Sequence, residues 1–125
     1  MVAQDMNMAR IEDAAQLAHE VNRAFCASMG DGSQPRWNDA PDWQRESAIQ
    51  GVRHAFENPH ASPEDSHNNW MAQKARDGWR FGLVKDERAK EHPCMVRYDQ
   101  LSPTERVKDA LFLAVVRTYL ALDHG

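Results

Sequence analysis

"GWRFGLVKDERAKEHPCMVRYDQL" (residues 78–101) decides how this chain folds. It interrupts a sequence that otherwise repeats its apolar residues every three or four positions. Gly78 and Gly82 flank Trp79 and Phe81, and a charged run then leads to His92-Pro93-Cys94. No helical stripe passes through it. Proline at 93 removes a backbone donor and biases His92 towards an extended backbone. The stretch reads as a connector: a short strand or extended segment over 81–84, a helical turn in "KDERAKEH", and a second short strand in "CMVRYDQL".

Downstream, Ser102, Pro103 and Glu105 open a helix with a capping box and a proline in the first turn. Val107, Leu111, Ala114, Val115, Thr118 and Leu122 share one face, widened by Phe112, Val116 and Tyr119. So broad an apolar surface suits a central helix or one that also meets a partner. Upstream, a helix opens at Ser62, with Pro63 in its first turn and Asp65 closing another box. It carries Trp70, Met71, Lys74 and Ala75 and stops at Gly78. The helix before it begins near Pro41 or Asp42 and buries Trp43, Ala48, Ile49, Val52 and Phe56. Pro59 ends it. The first helix runs from about Ala9 to Met29, with Ile11, Ala14, Ala18, Val21 and Phe25 on one stripe. Ala15, His19, Asn22 and Cys26 lie beside them, and Gly30 is the C-terminal cap. Residues 1–8 are expected to be flexible. "GDGSQPRWNDAP" (residues 30–41) is turn chemistry around Trp37. The fold class expected is mainly α: a compact single domain of four helices with a short β-hairpin or irregular loop at 78–101.

With 125 residues, one domain is the natural size. A net charge of −4 disfavours nucleic acid, which calls for a basic face. No apolar run approaches the roughly 20 residues of a membrane span. With no basic-then-apolar leader at the start, the expected location is the cytoplasm. The two cysteines, Cys26 and Cys94, belong to no C-x-x-C pair and read as reduced thiols. The six histidines form neither H-x-x-x-H nor H-E-x-x-H, so no metal and no cofactor is expected. Ser33, Ser47 and Cys94 have no base at a catalytic spacing, and Asp31 and Asp39 are explained as turn residues, so an enzyme is not expected.

Residues 62–120 resemble the ryanodine receptor repeat, the RyR domain. The resemblance rests on the helix bearing "HNNW", then "GWRFG", "KDERAKEHPCMVRYDQL" and "SPTERVKDALFLAVV". Arg97 stands where that family often has proline. The N-terminal half is similar to the extension of single-domain RyR proteins of bacteria and their phages. Calcium release is not implied, because one copy stands here without a channel. What the resemblance implies is a module that senses or sequesters a nucleotide-derived signal.

The residues allow such a role. Trp37 and Trp79, in loops, either pack on the core or form flat walls that stack on a ligand ring, with Phe81 as a third. Trp43 and Trp70 read as core. His19, Asn22 and Arg23 either cap the 30–41 loop or edge a pocket, where the guanidinium suits phosphate or carboxylate. Lys90 and His92 offer a second cationic corner. His92 alternatively hydrogen-bonds a backbone carbonyl and orients the Pro93 turn. The leading expectation is non-catalytic binding of a small anionic, nucleotide-like ligand through His19, Asn22, Arg23, Trp37, Trp79, Phe81, Lys90 and His92. The alternative is a protein-interaction module that forms a homo-oligomer or meets a partner through its last helix.

Overall fold

The computed structural model describes residues 2–122, with side chains from residue 8 onward. The expected flexibility of residues 1–8 concerns a stretch whose first seven residues lie outside the described side chains. Four helices dominate: α1 (Val2–Ser28), α2 (Asp42–Glu57), α3 (Pro63–Arg76) and α4 (Pro103–Ala121). The only strands among the described residues are β1 (Arg80–Phe81) and β2 (Glu91–His92). The mainly α class is as expected. The chain divides into two compact units, Met1–His60 with Leu111–Gly125, and Ala61–Ala110. No helix of the described residues is long and apolar enough to cross a membrane.

The first unit is held by one apolar core. Ile11, Ala14, Ala15 and Ala18 of α1 meet Val52 and Ala55 of α2 and Leu113 and Val116 of α4. Alanines at three neighbouring core positions of α1 let the partner backbones come close. Gly51 has the same effect on α2, where an added Cβ would lie 3.0 Å from the Phe112 ring. Both expected stripes of α1 contribute, since His19 and Cys26 are buried with the alanines. Cys26 carries a free thiol, as does Cys94. The α1 helix ends as expected: Gly30 adopts φ +86° and the Asp31 N–H bonds the Cys26 carbonyl at 2.9 Å.

Two faces turn out differently from the sequence reading. On α2, Ala55 is buried and Phe56 is exposed. On α4, Leu113 and Val116 are the buried residues, while Val107 is 48% and Leu122 55% exposed. Ala114 and Thr118 are exposed as well. The reason is geometric. Positions 112, 113, 116, 119 and 120 satisfy the three- and four-residue spacing as well as 107, 111, 114, 118 and 122 do. Periodicity alone does not choose between two apolar arcs of one helix.

In the second unit, α3 opens on the expected capping box. The Asp65 N–H donates to Ser62 Oγ at 3.1 Å, and the Ser62 N–H donates to Asp65 Oδ2 at 3.0 Å. Gly78, at φ +92°, ends the helix, and the Trp79 N–H reaches back to the Lys74 carbonyl at 2.9 Å. Only half of the box expected at α4 forms. Ser102 Oγ accepts from the Glu105 N–H at 3.2 Å, while the Glu105 carboxylate turns to other partners described below.

The short pairing of residues 80–81 is parallel, with Arg80 opposite Glu91 and Phe81 opposite His92, so it is not a hairpin. An antiparallel bridge between Asp86 and Glu91 explains why. The chain reverses once between 81 and 86 and again before 91, which restores its original direction. Lys90 takes φ +56° in the second reversal. The strand expected in "CMVRYDQL" is instead a Pro93 turn followed by a 3-10 turn at Tyr98–Gln100. At Gly82 a Cβ would sit 2.5 Å from Glu91 Cβ, next to the backbone and unable to swing aside. Gly82→Ala is therefore expected to force β1 and β2 apart at a cost of about 1–3 kcal/mol. Urea unfolding of the variant beside the parent chain measures it, and an unchanged midpoint would contradict the close approach.

Candidate functional site

The first unit brings His19, Arg23 and Trp37 together at the 30–41 loop, whereas Asn22 Oδ1 faces the Cys26 thiol at 4.0 Å within α1. His19 Nε2 donates to the Pro35 carbonyl at 2.7 Å, and its ring meets the edge of Trp37 at 5.6 Å. The Trp37 N–H donates to Glu20 Oε2 at 2.9 Å, and Arg23 Nε to Glu20 Oε1 at 3.0 Å. The Trp37 hydrogen bond, followed by Arg23, holds the Glu20 carboxyl below its usual range. Trp37 packs against the core cluster. Asp31 Oδ1 accepts from both the backbone and the hydroxyl of Ser33, as a turn residue does. The arrangement latches the loop onto α1.

The second unit contains a different constellation. Trp79 is only 6% exposed, with Lys74 Nζ lying 5.5 Å from its ring centre. It is packed as an anchor, whereas Phe81 is exposed on the loop. Lys90 Nζ donates to the Asp77 carbonyl at 2.7 Å, which satisfies the C-terminal end of α3. His92 has a double role in the turn. Its carbonyl accepts from the Met95 N–H at 3.2 Å, with Pro93 between them at the position a β-turn favours. Its Nδ1 accepts from the Cys94 N–H at 3.0 Å. The imidazole thus bonds a backbone N–H and not a carbonyl, and its proton resides on Nε2. This explains the His-Pro-Cys run chemically.

Around that turn the aromatic rings form a chain. Tyr98 lies 6.1 Å from His67, His67 stacks on Trp70 at 5.7 Å, Trp70 meets the edge of His92 at 5.1 Å, and His92 meets Trp79 at 6.3 Å. Three of these rings border a half-open cleft of about 150 Å³ lined by His67, Trp70, His92, Cys94, Leu101, Glu105 and Asp109. Helix α3 places His67 and Trp70 three residues apart on one face. Helix α4 does the same for Glu105 and Asp109, four apart. Of the eight residues singled out in the sequence, His92 alone among the described residues lines this cleft. His67 and Trp70 were legible there as the ends of "HNNW" and Glu105 as a capping residue, but not as members of one cleft, because same-face spacing is shared with any packed or solvated helix side.

Each polar group in the cleft has a definite state. His67 Nε2 donates to the Val96 carbonyl at 2.7 Å, leaving Nδ1 3.9 Å from Asp109 Oδ2. The Cys94 thiol donates to Glu105 Oε2 at 3.4 Å, and Lys108 Nζ pairs with Glu105 Oε1 at 3.1 Å. Burial, then the Glu105 charge, pushes the Cys94 thiol up to about 12, which favours its protonated form near neutrality. Burial, then the Lys85 charge, pushes His92 down to about 4, and burial lifts Asp109 to about 6. Among the described residues, no group of three or more His, Cys, Asp or Glu is arranged to hold a metal ion.

The two shifted groups oppose each other in stability. His92 is lowered from 6.5, so the unfolded chain binds its proton first. Its contribution is present above about 6.5 and is lost as pH falls towards 4. Asp109 is raised from 3.8, so its contribution is present below about 3.8 and is lost as pH rises through 6. Relative to the parent, His92→Gln should lose stability as pH rises from about 4 to 6, and Asp109→Asn should gain it. Each change should be roughly 1–2 kcal/mol after allowance for partial solvation. Urea titrations at three pH values test this, and slopes of the same sign would contradict it.

The second unit therefore carries a small ring-lined cleft beside the irregular connector. The RyR domain family matches this chain over residues 51–124, and the chain belongs to that family.

Proposed function

We propose that the chain is a non-catalytic binding module whose second-unit cleft takes part of a small, nucleotide-type ligand, as a sensor or sequestering protein of the cytoplasm. The observation that carries this reading is the cleft itself, where the faces and edges of Trp70, His67 and His92 adjoin polar groups on α4. Apolar walls with a few convergent polar groups are the usual form of a small-molecule site. At about 150 Å³ the cleft suits one ring system, and the rest of such a ligand would stay outside. A non-catalytic role is supported by a thiol whose proton is held by Glu105 and an imidazole whose Nδ1 is engaged by the turn. Calorimetric titration against mononucleotides, cyclic nucleotides and ADP-ribose-type molecules tests the reading. Binding that weakens at least about tenfold in Trp70→Leu is expected, given ~1–3 kcal/mol for ring stacking. No heat with any member of the panel would overturn it.

A second reading, interaction through α4, is favoured by the apolar arc of Ala114, Thr118 and Leu122 left exposed in the first unit. Light scattering on the parent and on Leu122→Asp separates the two. An oligomer that the variant dissolves supports the interface, and a monomer in both removes it.

A further inference from the structure

Resting on the proposed binding role of the cleft, we infer that it reads a hydrogen-bond donor edge: a flat ring carrying an amine, amidine or ring N–H enters it, and phosphate or carboxylate does not. The inference follows from which polar atoms remain uncommitted. Glu105 has both oxygens engaged, one by the Cys94 thiol and one by Lys108, and the lysine offsets its charge. His67 has spent its N–H on the Val96 carbonyl, so the nitrogen facing Asp109 is a bare lone pair. Asp109 Oδ2 is buried and has no hydrogen-bond partner among the described residues. Two acceptors therefore face each other 3.9 Å apart with no donor between them. His92, which also lines the cleft, keeps its Nε2–H as a donor, because its Nδ1 accepts from the Cys94 N–H.

Asp109 lines the cleft and its Oδ2 is left without a donor, so a ligand donor that reaches this carboxylate adds a charge-assisted hydrogen bond on binding. A phosphate or carboxylate brings only acceptors. It would add a like charge beside Asp109 and Glu105, four residues apart on one helix face, and of the lysines whose charges reach His92 (Lys85, Lys74 and Lys108) Lys108 is committed to Glu105. The Trp70 ring tolerates either ligand, so ring contact supplies affinity and Asp109 supplies the choice. Any anionic part of a larger ligand would then lie outside the cleft.

Three probes of one shape separate the possibilities: benzamidine, benzamide and benzoate. Each is titrated into 15N-labelled protein while the Trp70 indole signal is followed. Benzamidine is expected to bind most tightly and benzoate most weakly, with at least about a tenfold span, the size of one charge-assisted hydrogen bond. Asp109→Asn should remove most of that span. Neutral benzamide, still shifting Trp70 in the variant, shows that the cleft survives the substitution. Benzoate binding as tightly as benzamidine, or a preference unchanged in Asp109→Asn, overturns the inference and leaves the binding role standing. No shift with any of the three also overturns it. If the nucleotide panel then moves Trp70, the binding role stands alone, and if it does not, both fall.

Discussion

Replacing Trp79 with alanine is expected to destabilise the second unit by about 3–5 kcal/mol, the range for removing a buried indole. That is enough to unfold a marginal unit. Its ring is buried at the start of the connector, one residue beyond the glycine that ends α3. One side receives Lys74 Nζ, itself on a residue only 2% exposed, and another meets the edge of His92. Truncation would open a cavity and leave a buried ammonium without its aromatic face, a contact worth up to about 2 kcal/mol when desolvated. Trp79→Phe keeps a ring and should recover much of the loss. Urea unfolding followed by far-ultraviolet circular dichroism measures both variants. A loss below about 1 kcal/mol for the alanine would return Trp79 to the role of an accessible ligand wall.

The second large effect belongs to the first unit. Leu113→Ala should cost about 2–5 kcal/mol, because Leu113 is 2% exposed within the cluster of Ile11, Ala14, Ala18, Val52 and Val116. Val107→Ala, by contrast, should change stability by no more than about 0.5 kcal/mol, since that side chain is nearly half exposed. The pair decides which arc of α4 is the core face. Equal losses would restore the arc read from the sequence.

Local rules were legible where a single residue type carries the physics. Ser62, Pro63 and Asp65 announced the start of α3, and Gly30 and Gly78 the ends of α1 and α3, because caps and positive φ depend on neighbours in sequence. What depends on distant partners was not legible. Both arcs of α4 obey the same period, so only contact with α1 and α2 selects Leu113 and Val116. The parallel pairing of β1 with β2 follows from a double reversal that "KDERAKEH" does not spell out. Trp79, Lys90 and His92 stood out as unusual residues in a connector, yet two of them are spent on folding: Trp79 as a packed anchor and Lys90 on the end of α3. The cleft drew instead on His67 and Trp70, legible only as the ends of "HNNW", on Glu105, legible only as a capping residue, and on Asp109. A carboxylate on a helix looks solvated until the chain places an imidazole 3.9 Å away.

The binding role of the second-unit cleft is tested most directly by following all four tryptophan indole signals by 15N NMR while the nucleotide panel is added. The expected result is a saturable shift of Trp70, which lines the cleft, with Trp37 and Trp43 of the first unit unmoved. A shift confined to Trp37, which adjoins His19 and the Glu20 latch, or no shift at any concentration, would contradict it.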